Sequence, residues 1–120
     1  MTDKIKILII DDDTRLRTLL QEYLINNNFA ADVAKNTSEA RDIITKSIYN
    51  LLIIDVMLPN ETGIDFLKYF RKNSDIPVII LSAMSDAEDR ILGLESGAND
   101  YIAKPFEPKE LILRIKNLLK

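Results

Sequence analysis

The sequence has no histidine and no cysteine. Without them there is no Ser-His-Asp triad, no thiolate nucleophile and no zinc or soft-metal centre of the usual ligand type. Any metal must be held by oxygens, which points to Mg²⁺, Ca²⁺ or Mn²⁺. A disulfide framework is excluded as well. Long apolar runs are also missing: the first, Ile7 to Ile10, ends at three consecutive aspartates, far short of a signal-peptide core or a membrane span. A cytoplasmic location with no membrane partner is the default expectation. Positive charge is in deficit, since 16 Lys and Arg stand against 19 Asp and Glu, giving 16 − 19 = −3. That is the wrong sign for gripping a phosphate backbone, so the chain by itself is not expected to bind nucleic acid.

What is present is an ordinary globular composition, 47 % hydrophobic and 29 % charged, over 120 residues, the size of one domain. Short runs of Ile, Leu and Val alternate with segments of helical period. Ile5–Ile10 reads as a strand, and Leu16, Leu19, Leu20, Tyr23 and Leu24 form the stripe of an amphipathic helix ending at Asn26–Asn28. Phe29–Ala34 is a weaker strand. Thr37 or Ser38 is placed to cap a helix carrying Ala40, Ile43, Ile44 and Ile48. Leu51–Ile54 is an uninterrupted apolar run that stops at Asp55, as in a strand buried on both faces. A loop through Pro59 and Gly63 leads to a helix with Ile64, Phe66, Leu67 and Phe70, and Pro77 opens the strand Val78–Leu81. Ser85 and Glu88 suggest a capping box for a helix closed by Gly97. Asp100–Ala103 and a helix from Pro108 with Leu111, Ile112, Ile115, Leu118 and Leu119 complete five β/α units. Continuous apolar strands alternating with amphipathic helices predict a doubly wound α/β fold, a parallel sheet covered on both faces, in one domain over residues 1–120.

In such sheets the ligand crevice lies beyond the carboxyl ends of the strands. The residues there are Asp11, Asp12 and Asp13 after the first strand, Asp55 after the third, Ser82 after the fourth and Lys104 after the fifth. If these strands are neighbours, their carboxylates converge, and two carboxylates ~5 Å apart at an effective dielectric of ~20 repel by roughly 3 kcal/mol. Cations must offset that repulsion. Lys104 is one, and an all-oxygen site with few protein ligands suits Mg²⁺ as the other. Asp13 is well placed simply to cap the following helix, whereas two further adjacent charges need another reason. Asp55 precedes Val56-Met57-Leu58-Pro59 rather than a helix, so capping explains it poorly. Ser82 serves equally well as a turn residue, and Lys104 has a solvated alternative.

These stretches together, Ile9-Ile10-Asp11-Asp12-Asp13, Leu51 through Pro59, Leu81-Ser82-Ala83, Gly97-Ala98-Asn99-Asp100-Tyr101 and Lys104-Pro105-Phe106, resemble the receiver domain of two-component response regulators along the whole chain. The resemblance implies a flavodoxin-like five-stranded sheet of order 2-1-3-4-5 with five helices. It implies Asp55 as phosphoacceptor from a sensor histidine kinase and as one of the Mg²⁺ ligands, Asp12 as direct Mg²⁺ ligand, Asp11 reaching the metal through water, and the Met57 carbonyl as a further ligand. It also implies Ser82 and Lys104 as phosphate partners, Tyr101 as an aromatic switch coupled to Ser82, and a cis Lys104-Pro105 bond. Asn60 stands where the family often has Gly, and Asn99 where Asp is usual.

The last third is most similar to the OmpR/PhoB-type branch, in which receivers usually precede a winged-helix DNA-binding domain. DNA is then expected to be reached only through an effector domain outside residues 1–120. In that branch Arg90, Asp100, Glu110 and Arg114 match positions that pair across a homodimer formed on phosphorylation, although Glu110 and Arg114 at i, i+4 can also pair within one helix. Leu113 lies about 200° round its helix from Leu111, off the core stripe, and with Ile91 and Leu94 suggests an exposed apolar interface.

Two rivals use the same residues. A haloacid-dehalogenase-like phosphatase would employ Asp11 and Asp13 as paired acids, but its motif needs Thr or Val where Arg15 stands. A receiver-like interaction module that takes no phosphate would have little reason to keep Asp11, Asp12, Asp55, Ser82 and Lys104 together. The expected role is a switch that catalyses only its own phosphorylation and dephosphorylation, not a conventional enzyme.

Overall fold

Each apolar run becomes a strand because its Ile, Leu and Val side chains can be buried on both faces only inside a parallel sheet. The computed structural model describes residues 4–84 and 86–120. The elements alternate strictly: β1 (Lys6–Ile10), α1 (Thr14–Asn26), β2 (Ala30–Ala34), α2 (Thr37–Lys46), β3 (Leu51–Asp55), α3 (Gly63–Arg71), β4 (Val78–Ser82), α4 (Ala87–Glu95), β5 (Asp100–Ala103) and α5 (Pro108–Leu118). The strands pair in parallel in the order β2-β1-β3-β4-β5, the doubly wound arrangement expected.

Strand residues alternate between two cores. Ile7, Ile9, Leu51, Ile53, Ile79, Leu81 and Ile102 face Leu20 and Leu24 of α1 and Leu111, Ile112 and Ile115 of α5. Leu8, Ile10, Leu52, Ile54, Val78, Ile80 and Tyr101 face Ala40 of α2 and Ile64, Phe66, Leu67 and Phe70 of α3. Helix α4 joins this second face through Gly93, where a Cβ would come within 3.0 Å of the Ile80 side chain and 2.9 Å of the Tyr101 ring.

Several local expectations change. Asn36, not Thr37 or Ser38, caps α2: its extended backbone lets its side chain accept the Glu39 N–H at 2.8 Å. Thr37 is already inside the helix and buried. Helix α2 ends at Lys46, so Ile48 lies beyond it and is 86 % exposed rather than on its apolar face. Leu19 sits at the edge of the α1 stripe and is exposed. Ser85 lies outside the described residues, and the cap of α4 is Asp86, which accepts the Asp89 N–H at 2.9 Å. Asn60 takes φ 72°, the left-handed conformation that Gly or Asn tolerates, so the chain turns as a glycine would there.

Candidate functional site

The register of the sheet builds the site. Ile10 pairs with Ile54, so Asp11 and Asp55 follow at the same level; Asp55 pairs with Leu81, and Ser82 with Ala103, so Ser82 and Lys104 come next along the rim. The Lys104 ammonium lies 3.2 Å from Asp11 Oδ2 and 3.1 Å from Asp55 Oδ2. One oxygen from each of Asp11, Asp12 and Asp55 falls within 4.8 Å of the others. Asp11 and Asp55 are buried, Asp12 exposed, so the cluster is rooted in the protein and open on one side.

Burial raises the pKa of Asp11, against the lowering effect of the Asp13 N–H that donates to Asp11 Oδ1 at 2.9 Å and of the nearby Lys104 charge. Burial pulls Lys104 the other way, but its hydrogen bond to Asp55 and the charges of both aspartates outweigh that, and its pKa ends above the ordinary lysine value. Three carboxylates and one ammonium leave −3 + 1 = −2 formal charge on an all-oxygen ligand set. The donors therefore fit a hard divalent cation in both charge and chemistry, Mg²⁺ above all.

Asp13 is occupied otherwise: its Oδ1 accepts the Arg15 and Leu16 N–H groups at 3.0 and 3.2 Å and caps α1. Asp13 thus takes the helix-capping role expected of it. Met57 follows on the β3-α3 loop, residues 56–62, and its N–H donates to Asp55 Oδ1 at 3.1 Å. Ser82 is fully buried, and its hydroxyl accepts the Met84 N–H at 3.0 Å rather than meeting Asp55. Tyr101 is buried, its ring against Gly93 and its hydroxyl donating to the Met84 carbonyl. The Lys104-Pro105 bond is cis.

On the far side, Ile91, Leu94 and Leu113 are each about half exposed. The charges around them already have partners within the chain: one Arg114 nitrogen meets both Asp100 oxygens at 2.8 Å, and the guanidinium also meets Glu110 Oε1 at 3.0 Å. Arg90 is exposed on α4. Asn99 is engaged too, its Oδ1 accepting from Arg71 at 2.8 Å and from the Val78 N–H at 2.9 Å.

Residues 7–116 match the response regulator receiver domain family. The chain belongs to that family. Among curated proteins, this receiver domain is 46 % identical over 115 residues to the transcriptional regulatory protein CpxR of Escherichia coli, covering 96 % of this chain and 49 % of CpxR. It is 43 % identical over 114 residues to protein PetR of Rhodobacter capsulatus, covering 95 % and 48 %. With the transcriptional regulatory protein ResD of Bacillus subtilis it shares 40 % over 119 residues, covering 99 % and 50 %. These relatives are OmpR/PhoB-type response regulators, and the receiver spans about half their length. Among solved structures, the receiver domain of the Francisella response regulator 1452 superposes with a TM-score of 0.93 at 39 % identity, covering 97 % of each chain. The BeF3-activated N-terminal receiver domain of Klebsiella pneumoniae RstA gives 0.92 at 30 %, covering 96 % of this chain and 98 % of that one. The fold is thus the CheY-like, flavodoxin-like one. No helix among the described residues is long and apolar enough to cross a membrane.

Arg41, Glu61 and Gly93 carry little signal in the sequence of the contacts they make. An isolated glycine inside a helical pattern was the available signal for Gly93. Arg41 and Glu61 are ordinary charges 20 residues apart, and nothing in their spacing announces that they meet.

Proposed function

We propose that this receiver is a cytoplasmic, Mg²⁺-dependent phosphoacceptor switch that takes a phosphoryl group from a sensor histidine kinase onto Asp55. The observation that supports it most is the rim cluster: Asp55 ends a buried central strand within 3.1 Å of an ammonium and beside two further carboxylates. Asp11, Asp12 and Asp55, with the Met57 carbonyl, would hold Mg²⁺, which when bound neutralises charge on the phosphoryl oxygens. The Asp55 carboxylate attacks phosphorus in line as the bond to the donor breaks, so catalysis here is mainly positioning and electrostatics. Lys104, already paired with Asp55, stays to meet the phosphoryl oxygens, and Ser82 turns its hydroxyl to donate to one of them.

That rotation has a mechanical consequence. The Met84 N–H is bonded to Ser82 Oγ and the Met84 carbonyl to Tyr101, so moving the hydroxyl disturbs the segment on which Tyr101 is hung. The α4-β5-α5 face is biased accordingly, and a homodimer forms through Ile91, Leu94 and Leu113. Arg90, Asp100, Glu110 and Arg114 make a charged rim that sets register more than affinity. Transcription is controlled through a DNA-binding effector domain outside these 120 residues.

Acetyl phosphate with Mg²⁺ tests the chemistry: intact-mass analysis should show one phosphoryl group on the wild type and none on Asp55→Asn. Labelling of that variant at the wild-type rate overturns the assignment, and turnover of unrelated phosphate esters would make the protein a phosphatase. Sedimentation velocity with beryllofluoride and Mg²⁺ tests the output: wild type should shift toward a dimer while Leu113→Asp stays monomeric. Equal dimerisation of both places the interface elsewhere.

A further inference from the structure

The loop that carries Met57 closes its backbone bonds locally. Leu58 N–H donates to Val56 O at 3.2 Å, Glu61 N–H to Pro59 O at 2.8 Å and Gly63 N–H to Val56 O at 2.9 Å. Val56 and Leu58 pack on the α3-side core, and the outer end of the loop is tied to α2 through the Glu61 side chain. Glu61 Oε2 accepts from Arg41 Nη2 at 2.8 Å, and Oε1 lies 2.7 Å from Nη1 as an ion pair, out of line for a hydrogen bond. The Arg41 guanidinium in turn lies 4.5 Å from the Tyr69 ring centroid and 5.4 Å from that of Phe66, both on α3. One arginine from α2 therefore touches the outer edge of the acceptor loop and the helix that follows it. The next two residues matter as well, since Thr62 caps α3 by accepting the Asp65 N–H at 3.1 Å and Gly63 packs on the Asp55 carbonyl.

We infer that Arg41 is a positioning residue for the acceptor loop: by clamping Glu61 between α2 and the aromatic face of α3, it holds residues 56–62 in the conformation that the metal and phosphoryl group require. The planar guanidinium suits the task, because it pairs with a carboxylate while stacking on a ring, which a lysine ammonium does less well. The clamp touches no reacting atom. Its effect reaches the site through Met57 and Asp55 at the start of the same loop, and so this inference rests on the phosphoacceptor reading above.

The test separates positioning from mere stability. Labelling of Asp55 by acetyl phosphate is followed against Mg²⁺ concentration for wild type, Arg41→Met, Glu61→Gln, the double variant and Arg41→Lys. The Mg²⁺ half-saturation should rise about tenfold in each of the first two variants, the scale of lost support behind metal ligands, with the maximal rate held within about twofold. The double variant should be no worse than the singles, since they break one pair, and Arg41→Lys should recover part of the loss. In the metal-free protein, hydrogen exchange at the Leu58, Glu61 and Gly63 amides should quicken in Arg41→Met while the amides inside α3 keep their protection. Half-saturation within twofold of wild type, additive losses, or equal loss of protection along α3 would each overturn the clamp as a positioning device. If wild type itself takes no label, the phosphoacceptor reading falls, and unchanged exchange at those three amides then overturns the clamp independently.

Discussion

Helices α3 and α4 have nine residues each and cover the same face of the sheet, yet they are held there differently. Helix α3 buries Gly63, Ile64, Phe66, Leu67 and Phe70, and Gly63 meets backbone: a Cβ would come within 2.2 Å of the Asp55 carbonyl oxygen. Helix α4 buries Gly93 alone, which meets side chains, and leaves Ile91, Leu92 and Leu94 about half exposed. The helix that follows the acceptor loop is thus locked to the site, while the helix on the proposed output face has apolar residues in reserve. On the switch proposed above, a small bias at the rim would move α4 more readily than α3, because α4 buries only Gly93.

Phe66→Ala and Leu92→Ala test this most severely. The first empties a site that is 1 % exposed and should lose about 3–5 kcal/mol, while the second should stay within about 0.5 kcal/mol, both read from urea denaturation. A cost above about 2 kcal/mol for Leu92→Ala would mean that α4 is anchored like α3.

The two glycines sharpen the contrast. Gly63→Ala forces backbone apart and should cost about 3 kcal/mol, with loss of Asp55 labelling; Gly93→Ala displaces a ring and a methyl and should cost about 1 kcal/mol. Its signature is a shift of the Tyr101 ring resonances with Asp55 labelling retained. Equal costs would remove the distinction between a backbone stop and a side-chain cushion.

The smallest effect concerns pH. The hydrogen bond from Arg41 holds the Glu61 carboxyl below its ordinary value of 4.5. A depressed folded-state pKa gives stability that is present above 4.5 and is lost as pH falls through the lower folded value. Wild type should therefore exceed Glu61→Gln by about 1 kcal/mol at neutral pH, and the gap should close in acid, measured by denaturation at several pH values. A gap that persists at pH ~3 would show that the acceptor loop is held by something other than this charge.

Much of this architecture could be read from residue order. Leu51–Ile54 and Val78–Leu81 are apolar without interruption because both faces are covered, and Asp11, Asp55, Ser82 and Lys104 mark themselves by ending such runs. The order of the strands was different in kind: alternation alone says that the sheet is parallel, and the sequence 2-1-3-4-5 came from family resemblance. What stayed hidden was pairing at a distance. Nothing local says that Arg41 reaches Glu61, that Tyr101 turns inward against Gly93, or that Arg114 satisfies Asp100 within its own chain. Caps were hidden for the opposite reason, too many candidates, as Asn36, Thr37 and Ser38 all qualify by type and only backbone geometry selects the first.

The register that sets the carboxylates side by side also decides which residues face which core. Sliding β3 by one position against β1 would carry Asp55 off the rim and, at the same stroke, exchange Leu52 and Ile54 for Leu51 and Ile53 on the α3 side. Chemistry and packing are in phase along every strand. Substitutions can tune either one alone, but an insertion or deletion within a strand shifts both, so changes of length should accumulate in the loops at the amino ends of the strands, away from the proposed phosphoryl site.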